Sequence, residues 1–188
     1  MILTFTVRKT MDEELTLKVI KNQDLSEKEL IDIIELCSRA FNTDYRNFLN
    51  TFIGAIHVIG YYKEVLASHA LWITRWLQVG NSPLMRTAYV EGVATDEPYR
   101  KRGFASEVMK RLAVEIADFE IAGLCTGLPD FYTRLGWEVW KGSLFSRKDG
   151  ELIPSREGAS VIVLPLPNTP PLDLSTPLSI EWREGEVW

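Results

Sequence analysis

Apolar residues recur along this 188-residue chain with two periods, and the changes between them outline the elements. TLKVIK (16–21) alternates apolar with polar and reads as a strand. After Ser26, Leu30, Ile33, Ile34, Cys37 and Phe41 recur at helical steps, and Ser26 with Glu29 has capping-box spacing. The pattern predicts an amphipathic helix over 26–41. NTDYRNFL (42–49) suits either a loop or a short second helix.

From 54 to 95 the period drops to that of strands. GAIHVIGYY, VLASHALWITRWL and LMRTAYVEGVAT are rich in β-branched and aromatic residues, and KE and QVGNSP between them suit turns. Three antiparallel strands are expected, the last interrupted at Gly92, where glycine marks a bulge or a close backbone approach. A second helix begins near Gly103, with Phe104, Val108, Leu112, Ile116 and Phe119 on one face. IAGLCT (121–126) reads as a buried strand, PDFYTRL (129–135) as a short proline-opened helix, GWEVW (136–140) as a strand and ASVIVLPL (159–166) as the last central strand. Five of the nine prolines fall in 164–177, which predicts an extended covering segment. The order implies an α/β fold around a mixed, mostly antiparallel sheet with helices on both faces.

Composition narrows the class. With 46% apolar, 25% charged and 11% aromatic residues, the chain is of globular type. Its length suits one domain over 1–188, able to bury about 70% of its unfolded surface. No apolar run approaches the ~20 residues that span a bilayer, and the opening residues lack the layout of a signal peptide, so a cytoplasmic location is expected. A net charge of −5 argues against nucleic acid and is compatible with a cationic partner. Cys37 lies on the apolar stripe of the first helix and reads as core, whereas Cys125 is harder to place. His57 and His69 read as isolated histidines in strand-like runs, so no metal centre is expected.

YVEGVATDEPYRKRGFASEVMKRL carries the chemistry. A strand delivers RKRGFA to the start of a helix, whose unpaired N–H groups and partial positive charge favour a phosphate. Gly103 and Ala105 allow close approach to the backbone on either side of Phe104, and Arg100, Lys101 and Arg102 add charge, making a cradle suited to a pyrophosphate. The spacing matches neither the P-loop nor the dinucleotide fingerprint. Three basic residues alone would read as a solvated helix start; the glycine-broken strand before them favours the cradle.

Arg100-x-x-Gly103-x-Ala105 resembles the acyl-CoA signature of the GCN5-related N-acetyltransferase (GNAT) superfamily, and FYTRLGW (131–137) resembles its Phe-Tyr-x-x-x-Gly-Phe segment. The resemblance implies acetyl-CoA as cofactor, held by the backbone of Val93 and Thr95 and by Arg100 to Ala105. It also implies a splayed strand pair that starts at Gly92. Acetyl transfer to an amine needs a base, an oxyanion donor and an acid toward sulfur. By position these are Glu91, the N–H of Val93, and Tyr132.

YVEGVAT, the signature, FYTRLGW, VIVLPL and the final EWREGEVW together resemble the aminoglycoside 2'-N-acetyltransferases. That resemblance implies substrate contacts from Asp44, Glu91, Glu157, Glu186 and Trp188 with its carboxylate, and a role in antibiotic resistance. Glutamate stands at 157 and 186 where the family has aspartate, and Cys125 or Thr126 stands where it has serine. Segment 178–188 is then expected to line the acceptor site, with Glu181, Glu184 and Glu186 countered only by Arg183. Acetylation of a polyamine, an amino sugar or a protein lysine, and a non-catalytic acyl-CoA-binding role, are the alternatives. The family often dimerises, and SHALWITRWL is aromatic enough for an interface, though core packing explains that stretch equally well.

Overall fold

Strand and helix periods partition the chain as expected over most of its length, in a computed structural model that describes residues 3–7, 15–155, 160–185 and 187–188. The chain forms two compact units, one of Met1–Ile73 with Val90–Glu115, the other of Thr74–Tyr89 with Ile116–Trp188.

The first unit holds β1 (Leu3–Val7), β2 (Leu15–Lys21), α1 (Glu27–Phe41), the single turn α2 (Arg46–Leu49), β3 (Ile56–Tyr62) and α3 (Phe104–Glu115). It also holds the first part of β4 (Val65–Val79) and the last part of β5 (Met85–Thr95). β1, β2, β3 and β4 follow one another antiparallel. The capping box at α1 forms, with Ser26 N–H donating to Glu29 Oε2 at 3.0 Å and Glu29 N–H to Ser26 Oγ at 3.3 Å. Glu29 also accepts from Lys18 and from Tyr61 on the sheet, which ties α1 to one face. Burial opposes the Glu29 charge, but Lys18 and Ser26 prevail and hold its carboxyl down to about 2. The other face receives α3. Its Val108 lies 3.2 Å from where a Cβ at Gly60 would sit, so glycine is what lets the helix come this close.

The second unit holds β6 (Ile121–Thr126), α4 (Pro129–Thr133), β7 (Glu138–Val139), β8 (Leu144–Lys148), β9 (Glu151–Pro154), β10 (Ser160–Pro165) and β11 (Leu178–Glu181). β6 runs parallel to β5 from Thr87↔Ile121 to Tyr89↔Gly123, where their ladder ends. β10 pairs antiparallel with β6 and β7. β11 lies antiparallel on the end of β4 and parallel to β8. The sheet is mixed and mostly antiparallel, the expected class.

Four differences stand out. The second helix ends at Glu115 instead of continuing to 120; Ile116 and Phe119 are buried as the stripe predicts but lie beyond it, in the second unit. GWEVW contributes only Glu138 and Val139 to the sheet. The β8–β9 hairpin escaped notice because β9 is exposed throughout and carries no apolar alternation. β11 was read as part of a tail, yet Leu178, Ser179 and Ile180 are buried between two strands.

The proline-rich segment is non-helical, as expected, but turns twice, at 167–168 and 174–175, and is fastened by backbone hydrogen bonds. Lys141 and Gly142 N–H both donate to Leu174 O, at 2.9 and 3.0 Å, and Gly80 N–H donates to Pro177 O at 2.8 Å. Among the described residues no helix is long and apolar enough to cross a membrane. A Cβ at Gly142 would sit 2.0 Å from Thr176 O, a backbone atom that cannot swing aside. Gly142→Ala is therefore expected to lower stability by about 1–3 kcal/mol, read as a fall in the urea midpoint at unchanged m-value.

Candidate active site

Gly92 sets the backbone course at the C-terminal end of β5, where the candidate site residues Glu91, Val93 and Thr95 lie. Its φ of +61° is left-handed, a break in the extended backbone of β5 that glycine adopts readily, and a Cβ there would lie 2.3 Å from Tyr45 Oη. Tyr45 is itself buried within an aromatic group formed with Phe41, Phe48 and Phe52. On either side Glu91, Val93 and Thr95 are half-buried, alternating with buried Gly92 and Ala94.

The two histidines are not isolated, and this corrects the reading from sequence. His57 Nδ1 and His69 Nε2 are 2.9 Å apart, and His69 Nδ1 lies 2.8 Å from Gly92 O. Cys37 Sγ lies 3.7 Å from His69 Nδ1 and 3.9 Å from Gly92 O, so its thiol belongs to the same buried group. Burial, then the neighbouring His69, lowers His57 to about 3, and burial lowers His69 to about 4 against the opposing effect of the Gly92 carbonyl. Burial likewise pushes the Cys37 thiol up.

Beyond Thr95 the chain turns into the signature loop. Asp96 caps the 3-10 turn Glu97–Tyr99, and Arg100 Nε donates back to Thr95 O at 3.1 Å. Lys101 and Gly103 both take positive φ, at 63° and 85°, and nothing lies within 4 Å of a Cβ built on Gly103. The backbone ahead of the twelve-residue α3 is thus open to an approaching group. Arg102 stacks over Tyr62 and Phe104, at 4.2 and 4.9 Å from their centroids. Phe104 is only 4% exposed, so what it offers an anion is its backbone N–H. Arg100, Lys101 and Arg102 with the N–H groups of Gly103 to Ala105 fit the pyrophosphate of an acyl-CoA. Asp44, also in this unit, is half exposed and paired with Arg46 Nε at 3.2 Å.

In the second unit α4 presents Tyr132, opened by Pro129. Tyr132 is buried against Phe131 and Trp137. Burial raises its phenol to about 12, opposed by a hydrogen bond with the Thr126 hydroxyl. The sequence offers Thr126 as a strand end and as one of two residues at the family's serine position, not as a neighbour of Tyr132; Cys125 beside it is exposed.

The C-terminal segment is held by an arginine that sequence reasoning also missed. Arg75, 3% exposed, donates from Nε to Glu181 Oε1 at 2.7 Å and from its two terminal nitrogens to Glu181 O and Val187 O at 2.6 and 3.0 Å. Trp76 N–H donates to Glu181 Oε2 at 2.9 Å, and Arg147 is 3.9 Å from the same oxygen. Glu181 is therefore committed to Arg75 and Arg147, contrary to the expectation that only Arg183 counters the tail. Trp188 Nε1 donates to Ser155 Oγ at 2.5 Å. Lys148 Nζ caps the Trp182 ring at 3.8 Å. Glu157 and Glu186 lie outside the described residues.

The model of the acetyltransferase (GNAT) domain matches residues 21–140. The chain belongs to the GNAT family. By family it is an acetyl-CoA-dependent N-acetyltransferase. It is 26% identical over 183 residues to an aminoglycoside 2'-N-acetyltransferase of Mycolicibacterium fortuitum, covering 92% of each chain. Its fold is similar to that of the Escherichia coli GNAT protein YhbS crystallised with CoA (TM-score 0.59, 16% identity, 97% of this chain and 90% of that one). It is also similar to a GNAT protein from Kribbella flavida (TM-score 0.58, 20% identity, 72% of this chain), of whose length it spans 36%.

Two expectations follow from the buried charges. Histidine in an unfolded chain titrates near 6.5, about three units above His57 and two to three above His69 in the fold. The unfolded state therefore binds more protons below that pH. Stability is complete above about pH 6.5 and is lost as the pH falls toward 4, by up to about 1.4 kcal/mol per pH unit for each histidine. Urea unfolding at pH 5 should give a value about 2–4 kcal/mol below that at pH 7, and a flat profile would contradict the buried neutral pair. Arg75→Leu should lower stability by about 2 kcal/mol, less than a fully buried pair because the Glu181 side chain is 37% exposed. Amide exchange at Ile180 and Glu181 should rise with it.

Proposed function

We propose that this chain moves an acetyl group from acetyl-CoA to a primary amine of a cationic small molecule, an aminoglycoside 2'-amine being the leading acceptor, and that its two units act as one acetyltransferase domain. The observation that carries this reading is the similarity to the Mycolicibacterium fortuitum enzyme, which extends along 92% of both chains. A bound acetyl-CoA supplies an activated thioester carbonyl. Glu91, half-buried on β5, takes the proton that the attacking amine must lose, directly or through a water. The Val93 N–H meets the charge that develops on the carbonyl oxygen.

Tyr132 keeps its proton at neutral pH and donates toward the departing sulfur. A thiol in water titrates near 8.5, well below this phenol, so full transfer in water would be uphill. In a buried site the thiolate is destabilised too, which raises its proton affinity toward that of the phenol, whose value already includes the hydrogen bond from Thr126. Asp44, Glu157, Glu186 and Trp188 are proposed to contact the acceptor, the carboxylates pairing with its ammonium groups. A cytoplasmic location and a contribution to antibiotic resistance accompany this reading.

An acetyl-CoA consumption assay against aminoglycosides with and without a 2'-amine, and against polyamines, tests it. Turnover should require the 2'-amine; equal turnover of polyamines would move the acceptor to that class. Tyr132→Phe should lower kcat by about a hundredfold while acetyl-CoA affinity stays unchanged, and full retention of kcat removes Tyr132 from the mechanism.

A further inference from the structure

Behind Gly92 in β5 lies a chain of polar groups, exposed at its outer end and buried from His57 inward, to which the proposed reaction assigns no task. It begins at Asn22, whose Oδ1 is placed 3.1 Å from His57 Nε2, and passes through His57 and His69 to the carbonyl of Gly92. The carbonyl can only accept, so His69 carries its proton on Nδ1 and its Nε2 is an acceptor. His57 must then donate from Nδ1, which leaves its Nε2 to accept. An acceptor there cannot bond to Oδ1, so the neutral arrangement requires the Asn22 amide turned over, with Nδ2 in the place of Oδ1 and donating to His57 Nε2. Every donor along the chain points the same way, toward Gly92.

The carbonyl that ends the chain belongs to the peptide whose other end is the Val93 N–H. A peptide unit is planar, and in its trans form C=O and N–H point in opposite directions. Holding the oxygen at 2.8 Å therefore fixes where the Val93 N–H points. Accepting a hydrogen bond at oxygen also polarises the unit, making the N–H a better donor, and each bond upstream adds to this. Gly92 needs such restraint more than other residues, since glycine visits many backbone conformations at little cost. Tyr45 Oη fills the space on its Cα, and the Cys37 thiol adds a weak contact at the same oxygen.

We propose that His69 is a positioning residue for acetyl transfer, aiming and polarising the Val93 N–H through the Gly92–Val93 peptide, with His57 and Asn22 fixing its tautomer. This rests on the reading of Val93 as the oxyanion donor. It makes the buried histidine pair part of the catalytic apparatus, with no contact to either substrate required.

Two substitutions separate this role from plain packing. Asparagine places an amide NH2 near the position of a histidine Nδ1, whereas glutamine places one near Nε2. His69→Asn should keep kcat within about threefold of the parent. His69→Gln should lower kcat tenfold or more with the KM for acetyl-CoA little changed, since a poorly aimed oxyanion donor weakens the transition state more than ground-state binding. Amide shifts of Gly92 and Val93 in the free protein should follow the same order, small in the first variant and large in the second. In the parent, nitrogen-15 spectra should show His57 and His69 both protonated on Nδ1 and bare on Nε2. A proton on His69 Nε2, or equal kcat and equal shifts in the two variants, overturns the proposal. Glu91→Gln and Tyr132→Phe, assayed alongside, separate the two levels: unchanged kcat in both would sink the reaction assignment, whereas their loss beside full activity of His69→Gln would sink only the positioning role.

Discussion

The C-terminal end of β5, which carries the candidate site residues, depends on one peptide unit, that between Gly92 and Val93. A strand that must present Glu91 and the Val93 N–H on its exposed side cannot keep a uniform pleat, and the left-handed Gly92 supplies the break. That conformation is allowed by glycine but not dictated by it. What selects it is the packing behind: Tyr45 fills the volume any side chain would need, and His69 takes the carbonyl. The residues that define the site are thus held from the core of their own unit, where dense packing resists drift.

The buried polar groups divide between two tasks. The neutral histidine pair orients without charge, and its burial is tolerable because each nitrogen is given a partner. Arg75 orients with charge, and its burial is offset by Glu181 and two backbone carbonyls. One consequence concerns the acceptor. Glu181, neutralised by Arg75 and approached by Arg147, adds little to the attraction of a cation, so any such attraction from the segment must come from the acids that follow it. The clamp therefore fixes the segment's course while leaving its later charges to act.

Much of the fold was legible because it follows local rules. The Ser26–Glu29 cap, the helical stripe after it and the acyl-CoA signature ahead of α3 are readable from neighbours three or four residues apart. So was the conformational break at Gly92. β11 was not, because the alternation of Leu178 to Glu181 lasts only four residues after a proline-rich run, too short to mark a strand by itself; two neighbouring strands make it one. Nor were the partners of the site residues. Thr126 beside Tyr132, and Arg75 beside Glu181 at a separation of 106 residues, are products of tertiary packing.

The histidine pair shows how narrow the gap between legible and illegible can be. Lys63 and Glu64 form a two-residue turn, both at positive φ, between Tyr62 and Val65, and a regular hairpin counted back from it would set Val58 opposite His69. His57 and His69 would then point to opposite faces of the sheet, which is how two isolated histidines look. A register shift between Gly60 and Tyr61 moves the pairing by one, so that His69 faces Ile59 and His57 faces Leu71. With a side-chain period of two, one residue of slip reverses a face. Both rings then turn to the same side, within hydrogen-bonding distance of each other and of Gly92. The extra residue in β4, Ala67, which β3 leaves without a partner, thus determines what stands behind Gly92 in β5.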